Sequence, residues 1–478
     1  MKIKEFKIEY LWAFVVLGMC FAYVSSMPVD QYDFWHYIKT GNITWHTHKI
    51  IDKEIFTFTA FNKSYINLHW ASQLYYYFFY SVGGIPLLAF MHALIITGSF
   101  LLVFKLCLDY SKNMRIAAIA TFISIVLSVT NFALRPQEFS ILFFALTLFL
   151  LKKEKYYFIP LLFLLWVNIH GAFVTGLILV TVEVVGSIKF AKKFEISTRL
   201  LTLLILCFIT TLFTPWGLKL YPAIFNIESQ NLSNLVTEWF SPSLHTWAGL
   251  IFFINFLSFF ILKNFSTKNW NRTDILTFIV FAVLALRSQR AIIWWAIATA
   301  PILALHLNSV ILNLKIKNNS SEENLLLNYI FALILALYIV FCLPWLKPYN
   351  IFLPKSKHLL IALDTPCKLA DKLNTISSAH HIFNNFSWGS YFMWSLKDNQ
   401  KIFISPWLSV FPKKTIHDYL LISNGNAFWE KVLRDYDIDT LALGKEEQGR
   451  LLTLVNNSPN WVKIYEDEIG VIFKKTEL

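Results

Sequence analysis

Charge is scarce in this chain. Its 478 residues include 42 Lys or Arg and 30 Asp or Glu, 15% together, where an ordinary soluble domain carries about 25%. Glycine and proline are also few, at 15 each, and no internal repeat or low-complexity tract is present. Five cysteines do not make a disulfide framework: Cys20, Cys107, Cys207 and Cys342 fall in or beside apolar runs, which leaves Cys367 alone beyond them. There is no glycine-rich phosphate loop, no nucleophile elbow and no zinc-ligand spacing. The net charge of +12 comes without an aromatic-interleaved basic patch, so nucleic acid is not an expected partner.

Apolar length is what the chain has in abundance. It is 56% hydrophobic, with a mean hydropathy of +0.52. Apolar runs long enough for a bilayer core of ~30 Å recur through the first three-quarters. About eleven are expected, near 10–27, 84–106, 116–133, 138–151, 156–168, 171–188, 200–214, 247–262, 274–287, 291–312 and 326–345. The fifth is short and suggests a helical hairpin with its neighbour. No small-residue cleavage pattern follows the first run, so it reads as a retained helix.

Lys and Arg mark one side of these runs: Lys2, Lys4 and Lys7; Lys105, Lys112 and Arg115; Lys152, Lys153 and Lys155; Lys189, Lys192, Lys193 and Arg199; Lys263, Lys268 and Arg272; Lys315 and Lys317. The positive-inside rule makes these segments cytoplasmic, with acidic lipid as a neighbour. The N-terminus is then cytoplasmic and the C-terminus outside, in a plasma-membrane protein. The outward segments are 28–83, the corners at Arg135, Asn168–Gly171 and Arg287–Arg290, and the loop 215–246. Their polar residues gather on one side, as around one outward-facing cavity.

Two domains are expected: residues 1–345 in the membrane, with 28–83 as their first outer loop, and residues 346–478 outside. In the tail, "HIFNNF", "KIFISP", "DTLALG", "WVKIYED" and "GVIFKK" read as strands. "GSYFMWSL", "KTIHDYLLI", "NAFWEKVLRDY" and "KEEQGRLLTLV" read as helices between them, which predicts a small α/β domain.

Asp33, in "QYDFWHYIKTG", is the leading candidate base, because a carboxylate near a low-dielectric surface can take a proton from an acceptor hydroxyl. It is equally placed to cap the helix that follows. Trp35, Tyr37 and Trp45 suit either interface anchoring or stacking on a sugar, and His36, His46 and His48 are expected to face solvent. Glu54 and His69 lie in the same loop and can supply a second carboxylate and an orienting partner. A divalent metal is conceivable there, but no ligand pattern supports one. Asn168 and His170 interrupt an apolar hairpin and can donate to a phosphate or sugar hydroxyl. Arg135, Arg287 and Arg290 are the natural anion contacts, since a guanidinium fork matches phosphate geometry. Arg287 and Arg290 are three apart, so on a helix they would share a face. Glu238, in "TEWFSP", is the other acid before an aromatic.

These motifs resemble a bacterial branch of the C-type glycosyltransferase superfamily (GT-C), the group that includes protein mannosyltransferases and lipid A aminoarabinose transferases. That branch shows D-P-D-x-W-W-H-x-x-T-G, D-P-F-S-x-T and H-E-W-x-S-E in its first outer loop. This chain has "QYDFWHYIKTG", "EIFTFTA" and "LHWASQ". Later R-P, L-W-x-N-x-H-G, E-W-x-x-P and R-x-x-R signatures correspond to "LRPQEFS", "LLWVNIHG", "TEWFSP" and "RSQR". The tail segments "NNFSWGSYFMW", "KIFIS" and "WVKIYEDEIGVIF" are similar as well. Gln31 stands for the first Asp, Glu54 for another Asp and His69 for a Glu, and "KIFISPWLSV" lacks the usual D-G-R.

The resemblance implies an inverting membrane glycosyltransferase that moves a sugar from a polyprenyl-phosphate-linked donor to a lipid, glycan or protein acceptor outside. Asp33 would be the base, with Glu54 beside it. His69, Arg135, Asn168, His170, Glu238, Arg287 and Arg290 would bind substrate. Two rival readings are a flippase or transporter of an envelope lipid and a membrane-anchored interaction protein. The first lacks an inverted repeat, and the second leaves the polar outer corners without a purpose.

Overall fold

The computed structural model describes residues 8–30, 32–188, 197–229, 237–314, 324–351, 353–354 and 358–476, with side chains 225–229 and 237 left aside. Gln31 and the lysines at 2, 4, 7, 189, 192, 193, 315 and 317 lie outside the described residues.

Along the chain the helices run α1 (Ile8–Ser25), α2 (Phe34–Thr47), α3 (Trp70–Ser111), α4 (Met114–Ser128), α5 (Gln137–Lys152), α6 (Ile159–Ile169), α7 (Phe173–Gly186), α8 (Thr198–Thr210), α9 (Leu220–Ser229), α10 (Trp247–Phe265), α11 (Arg272–Arg287), α12 (Ile292–Asn313) and α13 (Leu325–Phe341). Each apolar run expected from the sequence coincides with one of them. Among the described residues, five helices are long and apolar enough to cross a membrane: Ile8–Ser25, Trp70–Ser111, Met114–Asn131, Trp247–Phe265 and Gln289–Asn313. The other helices that match apolar runs are shorter, down to the 11 residues of α6, about 16 Å at 1.5 Å per residue.

The chain forms two compact units. One holds residues 1–27 and 85–358, the other 28–84 and 359–478. This differs from a boundary at 345, because the first outer loop packs with the tail.

In the helical unit α12 is central. Ile292 through Ala304 are buried without interruption. Ser124 of α4 donates to the Ala296 carbonyl at 2.8 Å, and Trp295 Nε1 donates to Asn255 Oδ1 of α10 at 3.0 Å. Phe144 of α5 and Phe278 of α11 pack on Trp294 and Trp295, with ring centroids 5.1 and 4.8 Å apart. The two ends of this unit differ. Lys152 bonds Glu183 at 2.9 Å, Lys153 bonds Asp109 at 2.8 Å, and Arg272 reaches the Ile188 carbonyl at 2.8 Å. The corners at 131–137, 237–241 and 287–291 meet at the opposite ends of α5, α11 and α12, about 24 Å away by the rise of a 16-residue helix.

The other unit is built on a five-stranded sheet of β1 (His381–Asn384), β2 (Lys401–Ile402), β3 (Thr440–Gly444), β4 (Trp461–Glu466) and β5 (Gly470–Lys475), ordered β2-β1-β3-β5-β4. β1 is parallel to β2 and β3, pairing Ile382 with Ile402 and Phe383 with Leu441, while β5 is antiparallel to β3 and β4. The helices α14 (Cys367–Thr375), α15 (Gly389–Ser395), α16 (Lys413–Ser423), α17 (Trp429–Asp435) and α18 (Gly449–Asn456) cover it. All five strands and the last four helices were legible in the sequence, whereas α14 was not foreseen.

The loop residues complete this unit. Thr57 bridges Ile402 beside β2, and Val29 bridges Ile361. Trp35 and Tyr37 are 1% and 6% exposed. They are core side chains, not interface anchors: Trp35 packs on Tyr391 and Trp394 at 5.0 and 4.7 Å. Trp45 alone of the three is exposed, at 46%. Gly41 lets α2 meet the start of α3, since a Cβ there would lie 2.0 Å from the Gln73 carbonyl oxygen.

Gly84 breaks α3 with φ 63° and ψ −160°, where one unit ends and the other begins. Only glycine adopts that conformation readily. Gly84→Ala is expected to lower thermal stability by about 1–3 kcal/mol; an unchanged melting curve would contradict this assignment.

Candidate functional site

In the helical unit the site grows from the first turn of α5. Arg135, Gln137, Glu138 and Ser140 of "RPQEFS" each engage a different neighbour. Arg135 Nη2 meets Glu238 Oε2 at 3.1 Å. Gln137 Oε1 accepts from Arg290 Nε at 3.1 Å, and Gln137 Nε2 donates to Asn131 Oδ1 at 2.9 Å. Glu138 bonds His92 Nδ1, and His92 Nε2 donates to the Phe132 carbonyl at 2.8 Å. Ser140 Oγ lies 2.7 Å from His170 Nδ1.

The remaining corners are tied in by backbone. Ser288 Oγ donates to the Glu238 carbonyl at 3.1 Å, and Gln289 N donates to the Phe240 carbonyl at 2.9 Å. Burial pushes the Glu238 carboxyl up, but Arg135 and then Arg290 more than offset it and hold it below the usual range.

Arg287 and Arg290 do not share a helix face. α11 ends at Arg287, Ser288 is extended at φ −151° and ψ 132°, and Arg290 sits in a 3-10 turn, Gln289–Ala291. Arg287 is exposed, while Arg290 points inward to Gln137.

The tautomer of His170 follows from its neighbours. Trp166 Nε1 only donates, and it reaches Ser140 Oγ at 2.7 Å. The Ala172 N–H also only donates, to His170 Nδ1 at 3.3 Å. Nδ1 is therefore an acceptor, the Ser140 hydroxyl donates to it, and the proton of the neutral ring sits on Nε2. Asn168 braces its corner, with Nδ2 donating to the carbonyls of Leu164 at 3.0 Å and Phe213 at 2.9 Å.

In the sheet-containing unit, Asp33 is half-buried at the start of α2, and its side chain does not cap the helix. His69 stands at the start of α3, its ring 6.0 Å from Trp407 and 5.6 Å from Tyr37. His36 does not face solvent. It is 5% exposed against Trp407, at 4.3 Å, and burial followed by its neighbour His69 pushes its imidazole down to about 3. His46 and His48 are exposed as expected.

Glu54 is 2% exposed, and its Oε1 accepts from the Phe56 and Thr57 amides at 2.7 and 2.9 Å. Burial pushes its carboxyl up and the amide bonds pull it back only in part. A raised carboxyl contributes stability below its unfolded pKa that is lost as pH rises through the folded value. Glu54→Gln keeps an oxygen for both amides. It is expected to melt higher than wild type near neutral pH and to flatten the fall of stability above pH ~4.3, the reference value for Glu; a lower melting point throughout would contradict this.

Sequence reasoning missed Asn131, Gln137, Glu138, Ser140 and His92. The available signal was three polar side chains in the first four residues of an apolar helix, at positions 137, 138 and 140. Among the described residues no cluster of three or more His, Cys, Asp or Glu is placed to hold a metal ion.

Comparison with protein-family models and with curated proteins gives no match. Solved structures do match. The apo crystal structure of the Archaeoglobus fulgidus oligosaccharyltransferase superposes with a TM-score of 0.59 at 12% identity, over 98% of this chain and 74% of that one. The same oligosaccharyltransferase tethered with an acceptor peptide containing the NVT sequon gives a TM-score of 0.53 at 12% identity, with coverage of 98% and 74%. At such identity the likeness establishes the fold alone, a helical unit followed by a small C-terminal sheet.

Proposed function

We propose that this chain is an inverting membrane glycosyltransferase of the plasma membrane, acting on the extracytoplasmic face with a polyprenyl-phosphate-linked sugar as donor. The observation that carries the reading is the meeting of Arg135, Gln137, Glu238 and Arg290 at one end of the helical unit, in a chain with the fold of an oligosaccharyltransferase. Lys and Arg dominate the other end, which the positive-inside rule assigns to the cytoplasm. The shorter apolar helices complete about eleven crossings, and the C-terminus is outside.

The reading divides the chemistry into two tasks. On the motif resemblance, Asp33 takes the proton of the acceptor hydroxyl as its oxygen attacks the anomeric carbon. The carbon–oxygen bond to phosphate breaks, and the leaving polyprenyl phosphate gains a negative charge. Arg290, aided by the His170 Nε2–H, stabilises that charge, since preorganised donors act most strongly where charge develops. Glu54 serves Asp33 only through the loop it braces. His69 contacts the sugar or acceptor. Glu238 holds Arg135, and Arg287 meets headgroups at the surface. The acceptor is a lipid, glycan or protein of the envelope; no cofactor is assigned.

Membranes from cells that overproduce the protein, supplied with a panel of radiolabelled polyprenyl-phosphate sugars, test this. Label from one donor is expected to pass to an envelope acceptor. Retention of label on every polyprenyl phosphate, with the protein correctly inserted, would overturn the reading.

A further inference from the structure

Arg135 and Arg290 are held in chemically different ways. Arg135 is 12% exposed and meets a carboxylate, Glu238, at 3.1 Å. Arg290 is held through Nε by a neutral amide, Gln137 Oε1, at 3.1 Å. The direction of that amide is forced. An arginine only donates, so the carbonyl end of Gln137 must face it. The amino end then faces Asn131, whose Oδ1 accepts it at 2.9 Å. Gln137 is 1% exposed and Asn131 3% exposed, so water does not compete freely for these bonds.

The scaffold on both sides is stiff. Gln137 opens α5, and Arg290 precedes α12, whose first thirteen residues are buried. A carboxylate at 137 would also hold Arg290, but it would set a further negative charge against the guanidinium. An amide orients the fork without adding a negative charge beside it.

We propose that Gln137, anchored by Asn131, is the positioning residue that aims Arg290 at the phosphate of the lipid-linked donor without neutralising it. This rests on the functional reading above. Gln137 touches no reacting atom, and its effect passes entirely through Arg290.

The test is a double-mutant cycle on the full chain in nanodiscs, titrated with farnesyl phosphate and checked for unchanged melting temperature. Gln137→Leu is expected to weaken binding about tenfold or more, as is Arg290→Ala. In the Arg290→Ala background, Gln137→Leu should cost nothing further, which a merely structural role would not produce. Gln137→Glu, nearly isosteric, should also weaken binding, because it neutralises the arginine. An additive loss in the double variant, or wild-type binding by Gln137→Leu or Gln137→Glu, would overturn the positioning role while leaving the function standing. Wild-type binding by Arg290→Ala would instead overturn the assignment of phosphate to this cluster.

Discussion

Asp33→Asn is expected to abolish sugar transfer while the protein still inserts, folds and binds donor. A positioned general base contributes about 10²–10⁴-fold to a rate, and asparagine cannot take the proton. The fold should tolerate the change for a local reason. Asp33 occupies the N-cap position of α2, but its side chain makes no capping hydrogen bond, and asparagine is as good a residue there. Stability of α2 comes from its buried face, where Phe34 and Trp35 are each 1% exposed and the His36 amide donates to Ser390 Oγ at 2.9 Å. The measurement is transfer rate beside a melting curve. A well-folded variant with wild-type activity would remove Asp33 from the chemistry.

Arg290→Ala is expected to weaken donor binding by roughly ten- to more than a hundredfold, the worth of one charge-assisted hydrogen bond in a partly dry site. Acceptor binding should change little. Lysine keeps the charge but loses the fork that Gln137 orients, so Arg290→Lys should recover only part of the loss. Arg287→Ala should be much milder, because Arg287 ends α11 on an exposed position and does not share a face with Arg290. Titration of the purified variants with a polyprenyl phosphate checks the ranking. Equal losses at 287 and 290 would contradict it.

Much of the fold was legible because apolar length is a strong signal. Every expected apolar run became a helix, and the five strands of the tail followed from alternating short apolar segments. What the sequence could not reveal was partnership across distance. Nothing local says that "EIFTFTA" lies along "KIFIS", or that Trp35 is buried by Tyr391 and Trp394. Its aromatics therefore read as membrane anchors, and His36 as a surface residue.

The site was legible in part for the same reason. Arg135 and Arg290 stood out as charges at corners between apolar runs and Glu238 as an acid before an aromatic, and the structure brings them together. The pairing of Arg287 with Arg290 failed because helical spacing was extended across Ser288, an extended residue. Gln137 and Ser140 were overlooked because a polar residue in the first turn of a helix is ordinary. Only their partners, Arg290 and His170, give them meaning.

The central claim is that this chain transfers a sugar outside the membrane, with Asp33 as its base. Mass spectrometry of envelope glycans, lipids and proteins from a deletion strain, complemented with wild type or with Asp33→Asn, tests it most directly. The account predicts that one sugar disappears from one class of envelope molecule, returns with the wild-type chain and does not return with the asparagine variant. An unchanged envelope in the deletion strain, or full restoration by the variant, would contradict it.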